Sequence, residues 1–239
     1  MTQDRPIGPL VPGWTPPPRP DGAPMTGRYA RLDKLSAEAH APGLHAAFAG
    51  HDWLWDYMAN GPYAEAAAYL AWAKEAEAGS DPFFYVITDL ETGQLAGIAS
   101  YLRIAPEAGS IEVGNICFSP ALQRRRAATE AMALMMGWAF EAGYRRYEWK
   151  CNALNAPSRR AAQRLGFSYE GIFRQALVVK GRNRDTAWFA CIDKEWPALK
   201  AAYAAWLDPS NFDADGVQKQ RLADLTRPIL VAADPSLAG

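Results

Sequence analysis

The stretch Ser119–Ala131, S-P-A-L-Q-R-R-R-A-A-T-E-A, constrains this chain more than any other. It follows a strand-like run, Ser110–Phe118, and opens a helix-like run that ends near Ala142. A turn from strand to helix exposes unbonded backbone N–H groups at the positive end of a helix dipole, so the spot suits a diphosphate. Arginine forks add fixed charge that matches phosphate geometry. Ala127 and Ala128 let a pyrophosphate approach the main chain. The plain alternative for Arg124–Arg126 is a solvated surface patch. The strand before the run and the small residues after it favour the ligand.

A second block follows. Tyr147–Asn152 (Y-E-W-K-C-N) is a short strand candidate, and Asn155–Phe167 reads N-A-P-S-R-R-A-A-Q-R-L-G-F. Together the two blocks resemble the GNAT superfamily of acetyl-CoA-dependent N-acetyltransferases. Within it, the nearest likeness is to the Rim-type branch of ribosomal-protein N-terminal acetyltransferases. That branch carries a signature close to S-P-x-x-Q-x-x-G-x-A-T-E-A and a second, N-x-x-S-x-x-x-x-x-x-x-G-F-x-x-E-G. Asn155, Ser158, Gly166, Phe167, Glu170 and Gly171 fill the second at every fixed position. In the first, Arg126 stands where the glycine is usual. Either its side chain turns outward and its amide still serves, or diphosphate binding is weaker. The resemblance covers roughly residues 26–195.

The chain has 239 residues, enough for one sizeable core. A formal net charge of -1 is not that of a molecule built to hold nucleic acid or an anionic membrane. The 3 cysteines, Cys117, Cys151 and Cys191, are widely spaced and form no C-x-x-C pair, so neither a metal site nor a disulfide framework is expected. Reduced thiols fit a cytoplasmic protein. Met1–Pro20 has no apolar core of a signal peptide, and no run approaches the ~20 apolar residues of a membrane span.

Residues 1–25 are rich in proline and read as an extended arm, with Ile7, Leu10, Val11 and Trp14 as its anchors. Thr26–Leu35 reads as a first strand and turn, and Ser36 as the N-cap of a helix. A second helix is expected over Tyr63–Ala78. A three-strand meander follows: Phe83–Thr88, Gln94–Ile104 and Ser110–Phe118. Met132, Met135, Met136, Ala139 and Phe140 recur at helical spacing, which gives the next helix a core face. Tyr147–Cys151 reads as a strand and Ser158–Arg164 as a helix. Phe167–Lys180 and Asp185–Ile192 read as a hairpin, and Glu195–Leu207 as a last helix. The order is that of a mixed α/β sandwich, one main sheet with helices on both sides. The resemblance implies a GNAT-type, mostly antiparallel sheet with a splayed central strand. The expected organisation is an arm over 1–25, the acetyltransferase domain over 26–195, and a helix and tail over 196–239. The arm and the last helix are candidates for a homodimer contact.

The resemblance implies acetyl transfer from acetyl-CoA, as co-substrate and without a metal, to an amine acceptor, a peptide N-terminus or a small molecule. Pantetheine would lie along Asn115–Phe118, with a backbone N–H of Ile116, Cys117 or Phe118 polarising the thioester. Gln123, Arg124, Arg125, Arg126, Ala127, Ala128 and Thr129 would hold the pyrophosphate. Asn155 and Ser158 would reach the cofactor from the start of the next helix, though both are also ordinary capping residues. The family's frequent tyrosine acid is Ala162 here, which leaves Ser158 as the substitute. A glutamate base of some Rim-type enzymes is Leu177 here, which leaves Glu112 on the central strand, Asp185 on the last hairpin, or water. His51 is the best histidine candidate. Trp53, Trp55, Tyr57 and Tyr101 are expected on the acceptor side, with core packing as the alternative for each. A non-catalytic acyl-CoA sensor or scaffold is the competing reading.

Overall fold

In the computed structural model, which describes residues 7–237, eight strands form one sheet. Its strands are β1 (Met25–Thr26), β2 (Ala30–Lys34), β3 (Phe83–Asp89), β4 (Gln94–Ala105), β5 (Ser110–Phe118), β6 (Arg146–Asn152), β7 (Ser168–Val179) and β8 (Arg182–Ile192). Their order across the sheet is β1-β2-β3-β4-β5-β6-β8-β7. Every neighbouring pair is antiparallel except β5–β6, which is parallel. That one pair runs only from Ser110↔Arg146 to Val113↔Trp149. Beyond it the two strands are no longer paired, and the sheet opens along Gly114–Phe118.

Two layers of helix cover the sheet. Helices α1 (Ala37–Phe48) and α2 (Ala66–Ala78) share one apolar cluster with Phe84, Val86, Ile98 and Cys117. The opposite face carries α3 (Arg126–Glu141), α4 (Ala156–Arg164) and α5 (Trp196–Leu207). The methionine stripe on α3 is buried there as its spacing predicts. A sixth helix, α6 (Leu222–Thr226), packs on α5 and α4. The expected element order holds, with ends shifted by a few residues: α3 begins at Arg126, and β8 starts at Arg182 rather than Asp185.

Several signature residues serve the architecture. Glu130, buried on α3, accepts the backbone N–H of Arg28, Tyr29 and Ala30, which fixes the turn between β1 and β2. Gly166 ends α4 at φ 91°, a left-handed conformation that glycine adopts without strain. Phe167 then enters the core and stacks on Tyr147 at 5.6 Å. Glu170 pairs with Arg146.

The flanking segments lie on this body. Trp14 packs against Gly109, Arg19 donates to Ile104 O at 3.1 Å, and Tyr144 donates to Pro18 O at 3.1 Å. Of the expected anchors, Ile7 and Leu10 are instead 88% and 90% exposed. The segment is held by Trp14 and by the buried Pro17 and Pro20. Residues 1–6 of the proline-rich stretch and residues 238–239 of the tail lie outside the described residues. Leu199, Ala202, Tyr203 and Trp206 of α5 are spent on the chain's own core. The tail then returns along α4: Asp234 takes Arg159 in a two-pronged ion pair, and Tyr169 N donates to Ala232 O.

Candidate active site

One groove of about 1640 Å³ follows the opening in the sheet. Trp53 and Tyr57 stand at one end, Glu112–Phe118 along the middle, Gln123–Arg126 and Thr129 beyond, and Asp215–Gln218 at the far end. The backbone of β5 sets its middle. Asn115 takes φ 50° at a register shift between β4 and β5, and its side chain donates to Ser100 Oγ at 2.9 Å. After this kink, Cys117 pairs with Ile98, and Ser119 N donates to Ala96 O at 2.9 Å. Alternation therefore spends the Cys117 amide on β4 and turns those of Ile116 and Phe118 toward the opening. Of the three amides expected there, Cys117 is the exception. Burial pushes its thiol up to about 12.

At the end of β5 the chain turns into α3, and Gln123 Nε2 donates to Phe118 O at 3.0 Å. The N-cap, Arg125, makes no side-chain capping bond, so the first amides of α3 are left for another partner. Arg126 resolves as the outward alternative. Its guanidinium pairs with Glu91 and lies over the rings of Tyr29 and Phe212, at 4.6 and 4.9 Å, while its amide remains at the helix start. Arg125 approaches Asp89 at 4.0 Å. Arg124 is exposed, with φ 63°. Ala127 and Ala128 are buried against the core, and Thr129 accepts a hydrogen bond from Arg164 Nη2 at 3.1 Å. An open helix start among arginines can hold an anion, and outward amides on a strand edge that has lost its neighbour can bond an extended ligand.

Across the opening stands the start of α4. Asn155 accepts the Ser158 N–H at 3.1 Å, an ordinary cap. The Ser158 hydroxyl accepts from Trp149 Nε1 at 3.1 Å and can donate its own hydrogen, to the neighbouring Cys151 sulfur or to a ligand. Cys151 lines the groove as well, and burial raises its pKa. Tyr57 reaches across to Leu154 O at 3.3 Å, and Lys180, in the β7–β8 turn, donates to Trp55 O at 2.8 Å. These two bonds tie the Asp52–Trp55 turn and the residues after it to the β7–β8 hairpin and to the β6–α4 connection.

Glu112 lies on the groove wall but is not free. Arg103 Nη1 donates to both of its oxygens, at 2.9 and 2.8 Å, and Lys150 Nζ lies 2.8 Å away. Burial pushes the carboxyl upward against the pull of the two cations. Three expected residues stand elsewhere. Asp185 is half-buried on β8, where it accepts from Gln175 N and Asn183 Nδ2, so the hairpin rather than the groove uses it. Tyr101 is fully buried among α3 aromatics and donates to Met135 O. Trp55 is buried in the α1–α2 cluster. His51 and the other two histidines do not line the groove. Sequence reasoning placed parts of Val178–Arg184 on the acceptor side, and Val179 and Arg184 do line the groove; it missed Arg103 and Lys150, which the fold gathers at this end. The alternation of Tyr147–Asn152 was the available signal, since it sets Glu148 and Lys150 on one face. Among the described residues, no cluster of His, Cys, Asp or Glu is arranged to hold a metal, and no helix is long and apolar enough to cross a membrane.

The GNAT acetyltransferase domain model matches residues 31–168, more than half of the chain. The chain belongs to the GNAT acetyltransferase family. It is similar to a GCN5-related N-acetyltransferase from Brucella melitensis, with 47% identity and a TM-score of 0.89 over 91% of this chain and 100% of that one. A GNAT-family protein from Chromobacterium violaceum is 41% identical, with a TM-score of 0.77 over 83% of this chain and all of that one. The Salmonella typhimurium acetyl transferase that modifies the N-terminal serine of ribosomal protein L7/L12 shares the fold. It has 22% identity and a TM-score of 0.60 over 70% of this chain and 96% of that one. No curated protein sequence matches the chain. The GNAT signature residues fall on both sides of the groove, Gln123–Thr129 at the start of α3 and Asn155 with Ser158 at the start of α4.

Proposed function

We propose that this protein transfers an acetyl group from acetyl-CoA to a primary amine by direct transfer in a ternary complex. The observation that carries this reading is continuity: one groove joins an uncapped helix start, a strand edge that β6 leaves unpaired, and a mouth flanked by Trp53 and Tyr57. Acetyl-CoA, when bound, supplies a thioester acyl group open to attack by an amine. The residues present fit it. Arg124 and the first amides of α3 hold the diphosphate. The amides of Ile116 and Phe118 hold the pantetheine and polarise the acyl oxygen. Ser158, its oxygen already bonded to Trp149, donates a hydrogen bond to the departing sulfur. Glu112 acts as the counter-ion that sets Arg103 and Lys150, because both of its oxygens are engaged, and the amine loses its proton to water. Trp53 and Tyr57 form the acceptor's apolar wall.

Calorimetric titration with acetyl-CoA tests the cofactor site. The parent chain is expected to bind at micromolar Kd. The Arg124→Ala/Arg125→Ala double variant should bind about 10-fold or more weakly, the cost of losing charge-assisted contacts. Equal affinity of the two proteins would remove the diphosphate from this turn. Binding with no turnover of any amine would turn the reading into that of an acyl-CoA sensor.

A further inference from the structure

The acceptor end of the groove holds more positive charge than its own carboxylates use. Arg103 sits at a break in the β4–β5 ladder, with φ 46°. Left-handed backbone at a non-glycine residue is strained and persists only where its surroundings hold it. Asp81 secures it, accepting the amides of Arg103 at 2.9 Å and Ile104 at 3.0 Å. The bend brings the Arg103 guanidinium to Glu112. Lys150 is shared by Glu112 and Glu148 and lies 3.8 Å over the ring of Trp188.

Arg184 is different. It lines the same groove, from β8. Its Nε is buried without a hydrogen-bond partner, and among the described residues no carboxylate pairs with it. Burial lowers its pKa; Arg103 repels it, while Cys151 and Glu112 pull the other way without bonding it. An unbonded guanidinium N–H on the wall of a groove is a donor free for a ligand that enters there. The neighbouring walls are apolar, from Leu177 and Val179 on the hairpin to Trp53 and Tyr57 opposite, with Asp56 also on the groove's rim.

We infer that the acceptor carries a carboxylate within a few bonds of its amine, and that Arg184, with Arg103 beside it, seats this carboxylate. The inference rests on the transferase reading of the groove. A carboxylate matches the guanidinium fork, and its charge relieves the crowding of Arg184 and Arg103. The carboxylate belongs either to a free amino acid or to the side chain of an acidic first residue of a peptide.

Matched pairs decide the matter. One set comprises free amino acids and their amides; the other, dipeptide amides beginning with Asp or with Asn. Each is offered with acetyl-CoA to the parent chain, Arg184→Gln and Arg184→Lys. Affinities of the corresponding N-acetyl products for the CoA-loaded proteins are measured alongside by calorimetry. In at least one set the carboxylate member is expected to win by about 10-fold or more in both kcat/KM and product affinity. Arg184→Gln should erase the preference, Arg184→Lys should recover part of it, and CoA affinity should not move. The set that shows the preference names the source of the carboxylate. No preference in the parent chain, or a preference that survives Arg184→Gln, overturns the inference while intact CoA binding leaves the transferase reading standing. Failure of the parent chain to bind CoA removes both.

Discussion

Replacing Asp234 by alanine is expected to destabilise the protein by about 3–5 kcal/mol, the usual result of removing one partner from a buried ion pair. At roughly 2–4 °C per kcal/mol for a chain of this size, the thermal midpoint should fall by roughly 6–20 °C. Asp234 is 1% exposed and Arg159 8%. Arg159 Nε and Nη2 donate to the two oxygens of Asp234 at 2.7 and 2.8 Å, and Nη1 donates to Ala153 O at 2.8 Å. Removing the carboxylate strands the guanidinium in the interior, where no other carboxylate reaches it among the described residues. Asp234 also accepts from Ser236, and its own amide donates to Gln163 Oε1 at 2.7 Å, so the tail loses its clamp on α4. Glu141→Ala is the contrasting case. Its pair with Lys200 has both side chains about 60% exposed, and its loss should stay within about 0.5 kcal/mol. Replacing both buried partners, as Arg159→Met/Asp234→Leu, should recover much of the loss, since an apolar pair carries no desolvation cost. Thermal and urea unfolding of the four proteins measures all of this. A midpoint shift for Asp234→Ala no larger than that for Glu141→Ala would contradict the argument.

This clamp lay beyond the reach of the sequence. Asp234 sits in a polar tail that reads as loop, and nothing local ties it to Arg159. The fold itself was legible because its elements carry their own periodicity. The α3 stripe repeats at helical spacing and is buried as expected, and the meander of β3, β4 and β5 is bounded by turn residues. The two helix starts that flank the groove were legible for a related reason, since a strand-to-helix turn and a capped helix start are local events. Its floor was not. Glu112, Lys150 and Arg184 sit on three different strands, and Arg103 reaches them only through a left-handed bend that Asp81 holds. Register and backbone handedness decide such a cluster, and neither is written in the neighbouring residues. Aromatic content misled at Trp55 and Tyr101 for the complementary reason: a large ring suits a core and a pocket wall equally, and here both rings pack inside.

Ser158→Ala should lower kcat by about 10²–10³-fold, the range for loss of one hydrogen-bond donor to developing negative charge, while the Kd for acetyl-CoA changes little. The hydroxyl has one hydrogen and two lone pairs. The indole N–H of Trp149 occupies one lone pair at 3.1 Å, which orients the group and makes its hydrogen a better donor. Asn155 fixes the serine's backbone through the N–H of the same residue, so the side chain enters the groove from a rigid helix start. A serine hydroxyl is a weak acid. Its contribution lies in bonding the sulfur as negative charge develops there, which affects the transition state more than the bound substrate. Trp149→Phe removes only the orienting N–H and keeps the ring packed on Phe167, so its loss should be smaller than that of Ser158→Ala. In the double variant the two losses should not add, because without the hydroxyl the indole has nothing to orient. Thiol release measured by a colorimetric reagent, with CoA affinity from calorimetry, separates the two parameters. A Ser158→Ala protein that keeps its kcat would show that the serine only caps α4, and would leave the departing sulfur to solvent.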